Sequence, residues 1–292
     1  MVGANRVTGS TGIGLLTLCL VSFCAPVARS QNPQPQQQVQ SQATPYGLDK
    51  ANVPDAINRV KSGDFFLSHL DLIARAHATE AIPALKDQFV RAQDPLLKQK
   101  IAAGLIRLGD RDDVYWDYLV KAAKAALDSD APSFKEYDAN GKYVGGPSPA
   151  FEAWMKANHP TENAEDAAED SIYLQPATVT ILAWADDSRA IPYLRQGMSS
   201  PNYMVQIASA QGLAELGDEA SIPLIIAACQ RAPKDVATVL GDTLVYFDTD
   251  AAKKAVDQYV PADMAQASRN ARANGQKPKP LTAPLYDSTA HP

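Results

Sequence analysis

Asp187-Ser188-Arg189-Ala190-Ile191-Pro192-Tyr193-Leu194, followed by Ser200-Pro201 and by Gly212-Leu213-Ala214-Glu215-Leu216-Gly217-Asp218, decides the fold because its pieces return elsewhere. Gly-Leu-x-x-Leu-Gly-Asp occurs at 104–110 and again at 212–218, and Ile-Pro occurs at 82, 191 and 222. The spacings set a period: Ile191 to Ile222, Leu182 to Leu213 and Leu213 to Leu244 are each 31 residues, and Ile82 to Val114 is 32. Such a period, filled by two short helices, belongs to solenoids in which each pair buries its apolar face only against its neighbours.

The punctuation of the unit has physical reasons. Asp94-Pro95 and Ser200-Pro201 each set an N-capping side chain before a proline at the first helical position, where the missing N–H costs nothing. Gln175-Pro176 and Ala232-Pro233 keep the proline without a good cap. Gly109 and Gly217 supply positive φ where a helix stops. Asp110 and Asp218 then read as caps of the following helices rather than as catalytic acids. Pro83, Pro192 and Pro223 fall four or five residues into helices, so a tight or bent first turn is expected there.

Outward from the repeat, residues 51–127 read as helical pairs, beginning with Ala56, Ile57 and Val60 on one face and Phe66, Leu70, Ile73 and His77 on the next. Residues 128–170 break the period. They read as an insertion: a hairpin turning at Asn140-Gly141, a small helix over 151–157, and an acidic loop over 161–170 that carries Glu162, Glu165, Asp166, Glu169 and Asp170 without a base. Solenoid insertions emerge on one side and often supply the binding surface. Pairs resume over 171–260, with Leu182, Leu194, Ile207, Leu213, Leu216, Ile222, Ile225, Leu240, Leu244, Phe247 and Val256 as core, and Ala208, Ala210 and Gly212 allowing close approach. A polar helix and a loose tail complete 261–292.

Residues 1–30 contain no acid, two arginines and the apolar run Ile13 to Phe23, and read as a cleaved export signal. The run is shorter than the roughly 20 residues of a membrane span, so no stable span is expected once it is removed. The chain is expected to be periplasmic or secreted; bulky Phe23 argues against lipid anchoring at Cys24. Residues 31–50, rich in Gln and Pro, read as a disordered leader. Removal of the signal leaves Cys229 alone, a small core residue with no disulfide partner. The 27 bases against 33 acids give a net charge of −6, and no dense Lys/Arg cluster appears, so nucleic acid is not an expected partner.

With these residues in view, the chain resembles the HEAT repeat family, in particular the short bacterial form known from bilin lyases and its exported relatives. That unit reads roughly Asp-x-x-Ala-Ile-Pro-x-Leu, then a second helix ending Ala-x-x-Ala-Leu-x-x-Leu-Gly-Asp. Residues 187–218 match best, and the likeness covers about 65–127 and 171–260. It departs at Gly104 and Gly212, where the family more often has alanine, and at Phe247-Asp248, where Leu-Gly is expected. The resemblance implies an all-α fold: a right-handed α-solenoid of antiparallel helix pairs, here with a partly irregular insertion. It implies protein interaction rather than chemistry, with second helices lining the concave side. Carried over by position, the interaction candidates are Lys98, Lys100, Arg107, Asn202, Tyr203, Gln206, Gln211 and Glu215.

Other chemistry finds little support. His69 and His77 are eight residues apart, about 80° around a helix, and His159 and His291 stand alone, so neither a metal site nor a cofactor is expected. Asp138-Ala139-Asn140-Gly141 starts like a calcium loop, but the twelfth position is Pro149 where a glutamate belongs. The acidic run has the charge to attract calcium or a basic partner. Nucleophile-elbow and phosphate-loop motifs are missing, and Trp116, Trp154 and Trp184 read as packing. The expectation is an exported, non-catalytic scaffold that binds a protein or peptide of the cell envelope through its concave face and insertion. The alternative is a small-molecule binder or enzyme resembling bilin lyases, with a site at the insertion; a purely structural role is the third reading.

Overall fold

A computed structural model describes residues 49–161 and 164–273, together with Leu285 and Ser288. The expectations for the export signal, most of the Gln/Pro-rich leader and His291 lie outside the described residues.

In chain order the helices are α1 (Val53–Ser62), α2 (Leu67–Arg75), α3 (Ile82–Arg91), α4 (Pro95–Arg107), α5 (Asp113–Leu127), α6 (Pro149–Asn158), α7 (Ala164–Glu169), α8 (Gln175–Trp184), α9 (Ile191–Gly197), α10 (Tyr203–Glu215), α11 (Ile222–Arg231), α12 (Lys234–Thr243), α13 (Asp250–Tyr259) and α14 (Ala262–Ala273). Strands β1 (Glu136–Tyr137) and β2 (Tyr143–Gly145) form one antiparallel hairpin. The helices outside the insertion make an all-α solenoid of pairs: α1 with α2, α3 with α4, α5 with α8, α9 with α10, α11 with α12, and α13 with α14. Second helices α2, α4, α8, α10 and α12 pack in series as one layer. First helices make the other, joined by Phe89 of α3 edge-on to Tyr115 of α5 and by Trp116 of α5 against Tyr193 of α9.

The insertion does not separate two blocks of repeats. It splits the third pair, because α5 ends at Leu127 and its partner α8 begins only at Gln175. Within it, Ser148 caps α6 by accepting from the Phe151 N–H at 3.2 Å. The acidic segment, expected as a loop, is helical over Ala164–Glu169 and runs through a π-turn, Asp170–Leu174, straight into α8. The hairpin reaches two pairs onward, where the Tyr143 N–H donates to Asp235 Oδ2 at 2.9 Å and the Asp235 N–H donates to the Gly141 carbonyl at 3.0 Å. Asp138 Oδ1 accepts from Asn140 N (2.8 Å) and Lys142 N (2.9 Å), so this carboxylate organises the hairpin turn.

Four of the five second helices stop by one device, while α12 runs on into a 3-10 turn, Leu244–Tyr246. His77, Gly109, Asp186 and Gly217 all have positive φ (51°, 94°, 55° and 67°), and each stands five residues before the Ile or Val that opens the next stretch. Glycine adopts this conformation freely, and Asp and His are among the side chains that enter it most readily. Pro83, Pro192 and Pro223 each sit second in an α-helix preceded by a 3-10 turn (Thr79–Ala81, Ser188–Ala190, Glu219–Ser221). The tight first turn is therefore real, and the missing N–H falls where the helix has no use for it.

Three capping expectations are corrected. Asp94 caps α4 (Leu97 N to Oδ1, 2.6 Å), but α10 is capped by Asn202 (Met204 N, 2.9 Å) and not by Ser200. Asp112, not Asp110, caps α5 (Val114 N, 3.1 Å). Asp218 makes no side-chain cap bond. Asp110 and Asp218 instead bind equivalent bases of their first helices, Lys86 at 2.7 Å and Arg195 at 2.8 Å, and so tie each turn back to its own pair. Asp218 also accepts from the Ser221 hydroxyl.

The core runs unbroken through the pairs, from Val60 and Leu70 through Leu105, Leu182, Leu194, Leu213 and Leu240 to Val256. Ile207 and Leu216 are only half-buried. Both ends are closed by amphipathic helices: α1 buries Ala56, Ile57 and Val60 and exposes Pro54, Asp55, Asn58 and Lys61, while α14 buries Ala265 and Ser268 and exposes Asp263, Gln266 and Asn270. Polar outer faces on terminal repeats keep a solenoid from stacking end to end.

Candidate functional site

Arg75, Arg107, Trp184 and Glu215 are the last residues of α2, α4, α8 and α10, and each stands seven residues before the Ile or Val of the next first helix. Tyr246, one period after Glu215, holds the same place beyond α12. The repeat thus sets a row of large side chains across the helix C-termini of the second layer.

Trp184 is its centre. Gly104 faces the indole, and a Cβ there would meet the ring at an ordinary contact distance of 3.7 Å. Lys100 Nζ lies 3.4 Å from the ring centroid and 3.1 Å from Asp71 Oδ1. Arg107 donates from Nη1 to the Trp184 carbonyl at 3.0 Å and places Nη2 3.5 Å from Asp186. That carbonyl is one a helix end leaves unpaired, and a cation at a helix C-terminus is favoured by the aligned peptide dipoles. A cation over an indole face is attracted by the ring quadrupole. Burial lowers the Lys100 amine to about 8, with the Asp71 carboxylate opposing the fall. Burial likewise lowers both Arg75 and Arg107. The Nε–H groups of Arg75 and Arg107 are buried without a hydrogen-bond partner. Glu215 faces Lys100 and Arg107 from the next helix, and on its other side its charge adds to burial in raising the Tyr246 phenol.

Of the residues expected at the interaction surface, Lys100 and Arg107 therefore come together at Trp184, and the charge of Glu215 acts on both. Gln211 is exposed on α10. Lys98 points elsewhere, its amine 5.0 Å over Phe89 and 5.6 Å over Tyr118 of the first-helix layer. Tyr203 is half-buried, edge-on to Tyr137 of the hairpin at 5.8 Å. The expected exposure fails for Arg107 and Lys100, whose side chains are only 9% and 12% exposed, and for two further residues. Asn202 is 1% exposed, and besides capping α10 it donates from Nδ2 to the Ser171 carbonyl at 2.8 Å. Gln206 is 9% exposed, and its amide donates to the Ser200 carbonyl at 2.6 Å. Both amides satisfy backbone groups that burial would otherwise leave unpaired.

Trp184, Asp71 and Asp186 were not among the expected contacts. The spacing that exposes the row, seven residues before each Ile or Val, was present in the sequence. Asp187 caps the turn after α8 (Arg189 N, 2.9 Å) and holds the Arg189 guanidinium 4.4 Å over the Trp116 ring. His69 Nδ1 accepts from the Phe66 N–H at 2.8 Å. Among the described residues no group of three or more His, Cys, Asp or Glu is placed to hold a metal ion, and no helix is long and apolar enough to cross a membrane. Burial pushes the Cys229 thiol up to about 12, so the thiolate that nucleophilic chemistry needs is disfavoured.

Residues 163–241 match the family model of HEAT repeats. This segment is made of HEAT repeats. The match begins within the insertion and takes in α7 to α11 with most of α12. HEAT repeats commonly serve as protein-interaction scaffolds and are typically non-enzymatic. The positive-φ stops at His77 and Gly109 and the Lys86–Asp110 ion pair repeat the same geometry ahead of the matched span. No curated protein and no solved structure matches the chain.

Proposed function

We propose that the chain is an exported HEAT-repeat scaffold that holds another protein of the cell envelope against its layer of second helices, with the insertion as a flank of the same surface. The observation that carries this reading is the division of labour along that layer. Inward positions are small or apolar: Leu72, Gly104, Ile181 and Gly212. One position earlier, Thr180 of α8 and Gln211 of α10 are exposed and unlike one another, while the equivalent Ala103 of α4 is buried. A surface whose framework repeats while its outward residues vary suits recognition of one partner, and no grouping of acid, base and nucleophile competes with it. Export rests on the acid-free first thirty residues and their apolar run.

Thr180→Arg with Gln211→Arg places two bulky charges at equivalent exposed positions one period apart. Affinity capture from envelope extract should recover a partner with the wild-type chain and lose it with the double variant at unchanged Tm. Recovery of the same partner by both would overturn the reading.

A further inference from the structure

The insertion builds a concavity of its own, a cleft of about 430 Å³ where α6 and α7 lean on the end of α5 and the start of α8. This is within the roughly 300–1,000 Å³ range of ligand sites. One wall is aromatic, made by Phe151, Trp154 and His159 of α6 and its C-terminus; the other carries the carboxylates of Asp128, Asp166 and Asp170. No lysine or arginine lines it. Trp154 is fixed, because its Nε1 donates to Asp130 Oδ1 at 2.9 Å and its ring lies 4.7 Å from that of His159. Asp128 and Asp170 accept from the side-chain amides of Gln196 (2.7 Å) and Gln175 (2.8 Å), neutral donors that hold the carboxylates without cancelling their charge.

We propose that this cleft is a second binding site, one that takes the basic side chain, arginine or lysine, of a segment of the scaffold's protein partner. The proposal rests on the scaffold reading for the source of that side chain. Two independent features select the ligand. The carboxylates of Asp128, Asp166 and Asp170, each exposed, supply negative charge that no lysine or arginine of the lining offsets, which draws a cation. Trp154 and His159, half-buried where Phe151 is wholly buried, supply ring faces, which attract a weakly hydrated organic cation such as guanidinium more readily than a strongly hydrated one. The described carboxylates are not clustered as metal ligands are, which favours an extended organic cation over a metal ion.

The probe is the peptide acetyl-Arg-Gly-Arg-Gly-Arg-amide, titrated into the 15N-labelled protein while the indole N–H signals are followed by NMR; Trp154→Phe assigns the signal of interest. The Trp154 signal should shift saturably, with affinity falling as salt is raised. Asp166→Asn with Asp170→Asn should weaken binding about tenfold, as expected for losing about 1.4 kcal/mol of partly exposed charge pairing. Glu80→Gln with Asp87→Asn removes the same charge from an exposed first-helix face and should change nothing. An unmoved Trp154 signal, or equal weakening by both double variants, would overturn the proposal, the latter because binding would then follow overall charge alone. The scaffold reading fails separately: a peptide that binds as described while no partner is ever captured breaks that reading only. A captured partner whose affinity ignores Asp166→Asn/Asp170→Asn breaks this one only.

Discussion

The two contacts that α8 makes with its neighbours in the second layer are built on equivalent glycines and yet are held in different ways. Toward α4, Gly104 faces the flat indole of Trp184, with the Lys100 amine 3.4 Å and the Arg107 guanidinium 5.9 Å from the ring centroid; an added Cβ would sit at an ordinary 3.7 Å. Toward α10, Gly212 lies directly against α8, where an added Cβ would come within 2.6 Å of Ala183 Cβ and 3.1 Å of Leu194. Both positions depart from the alanine of the family's unit, but only the second needs to. One contact spaces its helices with a buried ring and two largely buried cationic side chains, and the other brings backbones together. The first kind joins neighbouring repeats through side chains, while the second fixes the backbones of the stack.

The contrast is broken most sharply at Gly212. Gly212→Ala should destabilise the protein by about 3 kcal/mol, since neither Ala183 nor Leu194 has room to retreat in a filled core; urea denaturation measures it, and a loss below about 0.5 kcal/mol would mean that α8 and α10 can move apart. Asn202→Ala tests the same close-packed side and should cost about 2 kcal/mol, combining a lost helix cap with a buried Ser171 carbonyl left unpaired.

The charged side has a pH signature. Folding lowers the Lys100 amine to about 8, so above that pH the folded chain has given up a proton that the unfolded chain keeps until about 10.4. The unfolded state then binds more protons and stability rises with pH. Between pH 8 and pH 9.5 this group should add about 1 kcal/mol, read as the difference between wild type and Lys100→Met, in which the rise should vanish. Parallel curves for the two proteins would show that Lys100 is not desolvated against Trp184. The smallest effect is at Gly104: Gly104→Ala should stabilise by about 0.5 kcal/mol, because alanine orders the helix at lower entropic cost and meets only the ring.

The repeat was legible because its signal is local. Ile-Pro, the glycine stops and a 31-residue spacing all fall within one or two helices, and each has a backbone reason. The pairing of α5 with α8 across the insertion was not legible, because periodicity reports neighbours along the chain and Leu127 and Gln175 are not neighbours. The polar residues of α10 misled for a related reason. Packed against α8, α9 and α12, this helix is enclosed on most of its circumference, so Asn202 and Gln206 face inward where an amphipathic reading turns polar residues out. The stops at His77 and Asp186 escaped notice because Asp and His also enter the left-handed region, so glycine does not mark every such residue.

The reading that a partner lies on the second-helix layer is tested most directly by site-specific photo-crosslinking in the envelope of the cell that makes the protein. A photoreactive amino acid at Thr180 or Gln211, exposed on α8 and α10, should form an adduct with one partner. The same group at Val90 or Leu224, exposed on first helices α3 and α11, should form none. Adducts at Val90 and Leu224 with none at Thr180 and Gln211 would place the partner on the opposite layer and contradict the scaffold surface proposed for this chain.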